Sequence, residues 1–286
     1  MHSRIYLIVA LSTLFLAAAC ADDPLTADPG PAVGPDSAIG SDSSDREAPH
    51  YVLVHGSWMG AWAWTEVAAQ LRDSGAAVTV IELPGHGGDT TPVSELTLTL
   101  YAETVSAALD DAAGPSILVG HSMAGMIIAQ VAEMRPQAIE QLVFVSAYLP
   151  RDGESLVDLA SRDPDAITGE YLIFNDDGTL AVASEGLGEV FCGDCTAEIL
   201  ATLTDHYRDE PTAPLSESVA LSAENFGAVA KVYIETVQDR AVSLALQQQM
   251  VSDTPVDRVI SLDTGHLPML VAPESLSEEL IALAIE

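Results

Sequence analysis

A chain of 286 residues, 48% hydrophobic, with 20 glycines and 16 prolines, has the length for one large domain or two small ones. Its 43 acidic residues stand against ten basic ones, nine arginines and Lys231, for a net charge of −33. Such a surface cannot neutralise phosphates, which excludes nucleic acid as a partner. The same charge keeps a folded chain hydrated and adds self-repulsion to it.

Arg4 and the short apolar run Ile5 to Ala18 read as a signal peptide over residues 1–19 rather than a membrane span. Ala17-Ala18-Ala19-Cys20 resembles a bacterial lipobox, in which Cys20 would carry the lipid, although Ala17 stands where leucine is commoner. An ordinary signal peptide cut nearby is the alternative. Both predict export; the lipid also predicts a membrane anchor in the periplasm or at the cell surface. Residues 20–49 are rich in Pro, Gly, Asp and Ser. They cannot bury enough apolar surface to offset the entropy of ordering them, and read as a disordered acidic tether.

Residues 50–286 show strands alternating with helices. Tyr51 to His55 is a continuous apolar run of the kind buried on both faces of a parallel sheet. Trp64 to Arg72 has helical spacing and ends at Gly75. Ala77 to Leu83 is a strand, Leu98 to Leu109 a helix, Ser116 to Gly120 a strand, Ala124 to Met134 a helix and Gln141 to Tyr148 a strand. From about residue 150 to 228 the rhythm stops: Asp/Pro/Gly clusters, two short helical candidates and no convincing strand. It resumes with a strand at Lys231 to Thr236, a helix near Val242 to Met250, a strand at Arg258 to Leu262 and a last helix from Pro273. This pattern predicts a mostly parallel α/β sheet with helices on both faces. The irregular stretch reads as a cap.

Gly120-His121-Ser122-Met123-Ala124-Gly125 lies directly after a buried strand and before a helix. A sharp turn there needs little bulk around the serine, lifts its hydroxyl clear of the sheet and aims helix N–H groups at a developing oxyanion. Ala124 stands where a second glycine is usual. A serine needs a base and an orienting acid. Of the two downstream histidines, His206 falls in the cap and reads as solvated, whereas His266 follows a strand. Asp239, just past the strand Lys231 to Thr236, is the expected acid, with Asp253, Asp257 and Asp263 as competitors. The oxyanion donors are expected from the amides of Met123 and Ser57. His55 and His86 read as shapers of their turns. Trp58 is expected, with Leu267, to line the substrate pocket. Cys192-Gly193-Asp194-Cys195 is too poor in nearby ligands for a metal, and reads as a local disulfide or two free thiols. No cofactor is expected.

Val52-Leu53-Val54-His55-Gly56-Ser57 with Gly60-Ala61-Trp62, Leu118-Val119-Gly120-His121-Ser122-Met123, Tyr233-Ile234-Glu235-Thr236 leading to Asp239, and Gly265-His266-Leu267-Pro268-Met269 resemble the plant methylesterase and hydroxynitrile-lyase branch of the α/β-hydrolases and its bacterial esterase relatives. The resemblance spans the whole domain. It implies the α/β-hydrolase fold with a cap after the sixth core strand, the triad Ser122–Asp239–His266 and small ester substrates. The expected activity is that of a carboxylesterase-type serine hydrolase acting through an acyl-enzyme. A same-fold lyase and a non-catalytic binding protein are the alternatives. The lyases of the branch carry a threonine where this chain has Gly56 and a lysine where it has Leu267, which speaks for hydrolysis.

Overall fold

The computed structural model describes residues 48–285. The signal peptide, Cys20 and the tether up to residue 47 lie outside the described residues. Six strands form one wholly parallel sheet: β1 (His50–Val54), β2 (Ala77–Ile81), β3 (Ser116–His121), β4 (Ile139–Val145), then β8 (Ala230–Thr236) and β9 (Arg258–Leu262). The strand order is β2-β1-β3-β4-β8-β9. Tyr51 to Val54 are almost completely buried because β1 has a neighbour on each side and helices above and below. The edge strand β9 instead alternates half-buried and exposed positions up to Leu262, which is buried.

Helix α1 (Thr65–Asp73) buries Val67, Ala68 and Leu71. Helices α2 (Leu98–Ala108) and α3 (Ala124–Met134) follow. The step from β1 to β2 runs one way along the sheet, and the steps from β2 to β3 and β4 run the other. Right-handed crossovers therefore put α1 on one face and α2 and α3 on the opposite face. In keeping with this, α2 packs on α3, and α1 on the C-terminal helix Pro273–Leu283. The direction reverses between β1 and β3, and the loops leaving those two strands part to open a crevice at their carboxyl ends.

The chain leaves this sheet between β4 and β8. The cap thus follows the fourth strand of the described sheet, not the sixth: this sheet has only six strands, and four precede the insertion. The cap also holds a small antiparallel sheet that the sequence reading missed, made of β5 (Leu172–Phe174), β6 (Thr179–Val182) and β7 (Glu210–Pro211). Strands of two to four residues are too short for alternation to show. The turn signal was present, however, in Asn175-Asp176-Asp177-Gly178, where Gly178 takes φ +86°. Glu133 of α3 secures the far end of the cap, accepting hydrogen bonds from the Ser222 amide (2.7 Å), the Ser222 hydroxyl and the Asn225 side chain.

Candidate active site

Ser122 sits between the end of β3 and the start of α3 with φ +54°, a left-handed backbone that a non-glycine residue adopts only under constraint. The constraint is visible. Ser122 N–H donates to Val145 O, and Ser122 O accepts from the amides of Gly125 and Tyr148. The methyl of Ala124 is accommodated in the core. Gly125 is the position with no room for a side chain, since a Cβ there would run into the Tyr148 carbonyl. The small-residue requirement has thus moved one place along the motif.

The Ser122 hydroxyl lies 3.0 Å from His266 Nε2. On the other side of the ring, His266 Nδ1 lies 2.7 Å from Asp239 Oδ2. Asp239 is itself fixed: its Oδ1 accepts from the amides of Ala241 (2.8 Å) and Val242 (2.9 Å), and its Oδ2 accepts from the Thr236 hydroxyl (2.9 Å). The competing aspartates are engaged elsewhere: Asp253 with Arg151 and Arg162, Asp257 with the Lys231 amide and Asp263 with Gln238. His206 is exposed, its ring tilted against that of Trp62 with centroids 5.2 Å apart.

Ser122, Asp239 and His266 come from the loops after β3, β8 and β9, and Ser57 from the loop after β1. All four stand at the carboxyl end of the sheet. Among the described residues, no acceptor engages the amide of Ser57 or of Met123. The loop holding Ser57 lies against the serine, so that a Cβ on Gly56 would be 2.8 Å from Ser122 Cβ. Trp58, at φ +62°, is held by the cap at three points: its amide donates to Glu210 Oε2 (2.8 Å), its indole to Leu180 O (2.8 Å), and its carbonyl accepts from the Arg208 amide (3.2 Å).

Ser57, Trp58, Ser122 and His266 border a cavity of about 460 Å³, within the usual range for small-molecule sites. Most of its wall belongs to the cap and is apolar, including Leu156, Leu172, Leu180, Phe191 and Leu215. The expectation for Leu267 requires correction. Its side chain is wholly buried in the core and does not border the cavity, because the chain enters the helical turn Pro268–Val271 there and turns the leucine inward.

Three contributors escaped the sequence reading. His121 Nε2 donates to His266 O at 2.8 Å and the Ser146 hydroxyl to the same oxygen at 3.3 Å. Glu210 is completely buried and pairs with His86 Nε2 at 3.0 Å as well as with Trp58. Nothing local marks any of them, since their partners are far away in the chain. Cys192 and Cys195 are joined by a disulfide. No group of three or more His, Cys, Asp or Glu residues that could hold a metal occurs among the described residues.

The buried histidines carry opposite signs. Burial, reinforced by the neighbouring His86, pushes His55 down to about 3. Burial and the neighbouring His266 push His121 well below the ordinary value. Burial would also lower His86, but the Glu210 carboxylate overrides it and raises His86 above that value. Above pH 6.5 His55 and His121 are neutral folded or unfolded. Below it the unfolded rings take up protons that the folded rings refuse. Stability is therefore expected to fall by roughly 2 kcal/mol per pH unit for the pair as pH drops from 6.5 to 5. His86 acts oppositely: its contribution is full below 6.5 and is lost as pH rises through its raised value. Urea titrations at pH 5.0, 5.75 and 6.5 check the acid limb; a slope below about 1 kcal/mol per unit would mean that the two rings titrate freely in the fold.

A parallel sheet with a strained serine at a strand-to-helix turn, hydrogen-bonded through a histidine to a carboxylate, is the architecture of an α/β-hydrolase. The model of the alpha/beta hydrolase family matches residues 51–279, and the chain belongs to that family. Methylesterase 9 of Arabidopsis thaliana is 29% identical over 250 residues, covering 82% of this chain and 98% of the relative. Putative methylesterase 11, chloroplastic, from the same plant is 29% identical over 253 residues and 84% of this chain; the chain spans 65% of that relative's length. Among solved structures, the pyrethroid hydrolase PytH is 26% identical, with 84% of this chain and 98% of that one covered at a TM-score of 0.73. Polyneuridine aldehyde esterase, 23% identical, shares the fold at a TM-score of 0.75 over 83% of this chain and all of that one. These relatives support a carboxylesterase-type hydrolase.

Proposed function

We propose that the protein hydrolyses small, neutral carboxylic esters through an acyl-enzyme on Ser122. The observation that carries this reading is the continuous line Asp239–His266–Ser122, with contacts of 2.7 and 3.0 Å, ending at an apolar cavity. His266 takes the Ser122 proton as the hydroxyl oxygen attacks the ester carbonyl, and Asp239 stabilises the imidazolium that forms. The amides of Ser57 and Met123 hold the carbonyl oxygen as it becomes an oxyanion. His266 then passes its proton to the leaving alcohol, and water, activated by the same ring, releases the acid and restores Ser122. The net charge of −33 disfavours anionic substrates.

Nothing in the site favours the lyase alternative. A side chain at residue 56 would crowd Ser122 Cβ and His121 Nδ1, both 2.8 Å from a Cβ placed there. Residue 267 points into the core, and the chain's one lysine, Lys231, is buried with its ammonium on Val229 O at 2.7 Å and over the Phe226 ring. Among the described residues, no lysine or arginine lines the cavity to meet a departing cyanide. A panel of p-nitrophenyl esters from acetyl to palmitoyl, with mandelonitrile beside it, tests the reading. Turnover is expected to peak at short to medium acyl chains and to fall toward palmitoyl. Cyanide release without ester turnover would overturn it.

A further inference from the structure

The disulfide loop Cys192-Gly193-Asp194-Cys195 has no part in the steps above, yet it reaches the site. We propose, on the reading of His266 as the base, that this loop is a positioning device for His266 and that Asp194 is its working group. The amide of Gly265, the residue directly before His266, donates to Asp194 Oδ2 at 2.6 Å, a short charge-assisted hydrogen bond. A Cβ on Gly265 would lie 2.6 Å from Asp194 Oδ1, so the carboxylate fills the space that a side chain would need. His266 O, at the other end of the same stretch, is held by His121 and Ser146. The core thus grips the base by its carbonyl and the cap grips it by the preceding amide.

Two further contacts come from the same cap segment. The Phe191 ring, next to Cys192, lies 5.7 Å from the His266 ring. Glu189 accepts from Arg240, the neighbour of Asp239, at 2.9 Å. The segment thus touches the base's backbone, the base's ring and the residue beside the acid. The disulfide has a physical reason in this setting. Asp194 is exposed, and on a free loop it would exchange the Gly265 amide for water. Closing the short ring from Cys192 to Cys195, with Cα atoms 4.7 Å apart, removes much of that freedom in advance. The device acts on geometry alone: it transfers no proton and touches no substrate.

The test uses the full chain with its disulfide intact and p-nitrophenyl butyrate as substrate. Asp194→Ala is expected to lower kcat about tenfold, the scale of a small misplacement of a catalytic group, with KM within about twofold and the melting transition in place. Asp194→Asn should recover most of the loss, because its amide oxygen still accepts from Gly265 N–H. Cys192→Ser with Cys195→Ser should lower kcat to a similar extent, and adding Asp194→Ala to that pair should cost little more, since coupled groups are not additive. Dithiothreitol, oxidised to its cyclic disulfide as the bridge becomes two thiols, should reproduce the loss in the parent and leave the double serine variant unaffected. An unchanged kcat in Asp194→Ala, or an asparagine variant as impaired as the alanine one, would overturn the proposal. His266→Ala in the same series separates this from the underlying reading: if that variant keeps its activity, His266 is not the base.

Discussion

Ser122→Ala is expected to lower kcat for a p-nitrophenyl ester by about five to six orders of magnitude while the protein stays folded. The hydroxyl is the only group of the line that could form the acyl-enzyme, and its removal leaves the Ser57 and Met123 amides as residual catalysts. His266→Ala should cost nearly as much, because without the ring the hydroxyl keeps its proton. Asp239→Asn is expected to lose about four orders of magnitude, since an amide stabilises the imidazolium poorly and favours the wrong tautomer. The triple variant should be scarcely worse than Ser122→Ala, as the three act as a unit. Steady-state kinetics of the four variants, with circular dichroism to confirm folding, decide the matter. Ser122→Ala retaining a tenth or more of the parent activity would end the acyl-enzyme reading.

The second large effect is expected at Glu210. Its carboxylate is completely buried and joins the cap to two loops of the core, accepting from Trp58 N–H at 2.8 Å and from His86 Nε2 at 3.0 Å. Glu210→Ala removes one partner of a buried ion pair and leaves His86 and the Trp58 amide unsatisfied, a change that costs about 3–5 kcal/mol. Trp58 follows Ser57 in a strained backbone, so kcat should fall together with stability. Glu210→Gln should lose less, because its oxygen still accepts from Trp58 N–H although the charge facing His86 is gone. Urea unfolding at pH 6.5 measures the first effect and ester turnover the second. A loss below about 1 kcal/mol with parental kcat would show that the cap and the Ser57 loop hold together without this carboxylate.

Much of this site is legible along the chain because its parts follow strands. The apolar runs at the heart of β1, β3 and β8 are continuous, β9 alternates as an edge strand does, and a parallel sheet collects the residues just beyond them at one edge. The order of strands along the chain therefore places Ser57, Ser122, Asp239 and His266 in one region. Leu267 was misplaced by the same logic. Adjacency to His266 suggested the cavity, but the turn at Pro268 points its side chain into the core. The Cys-x-x-Cys spacing left disulfide and free thiols equally open, and it said nothing of the Gly265 amide, 71 residues away from Asp194.

Local pattern carries the strand and helix periods, the sharp serine turn and the order of serine, acid and base, because each is set by neighbours within a few residues. The cap's small sheet, the burial of Glu210 with His86, the grip of His121 and Asp194 on the histidine loop and the shape of the cavity have another origin. Each depends on residues separated by tens of positions or more and meeting only when the sheet assembles or the cap folds over it. A glutamate beside a proline or an aspartate between two cysteines has the composition of an ordinary solvated loop. Whether such a carboxylate stays in water or is drawn into a buried pair depends on the surface that closes over it, and no short stretch of sequence encodes that surface.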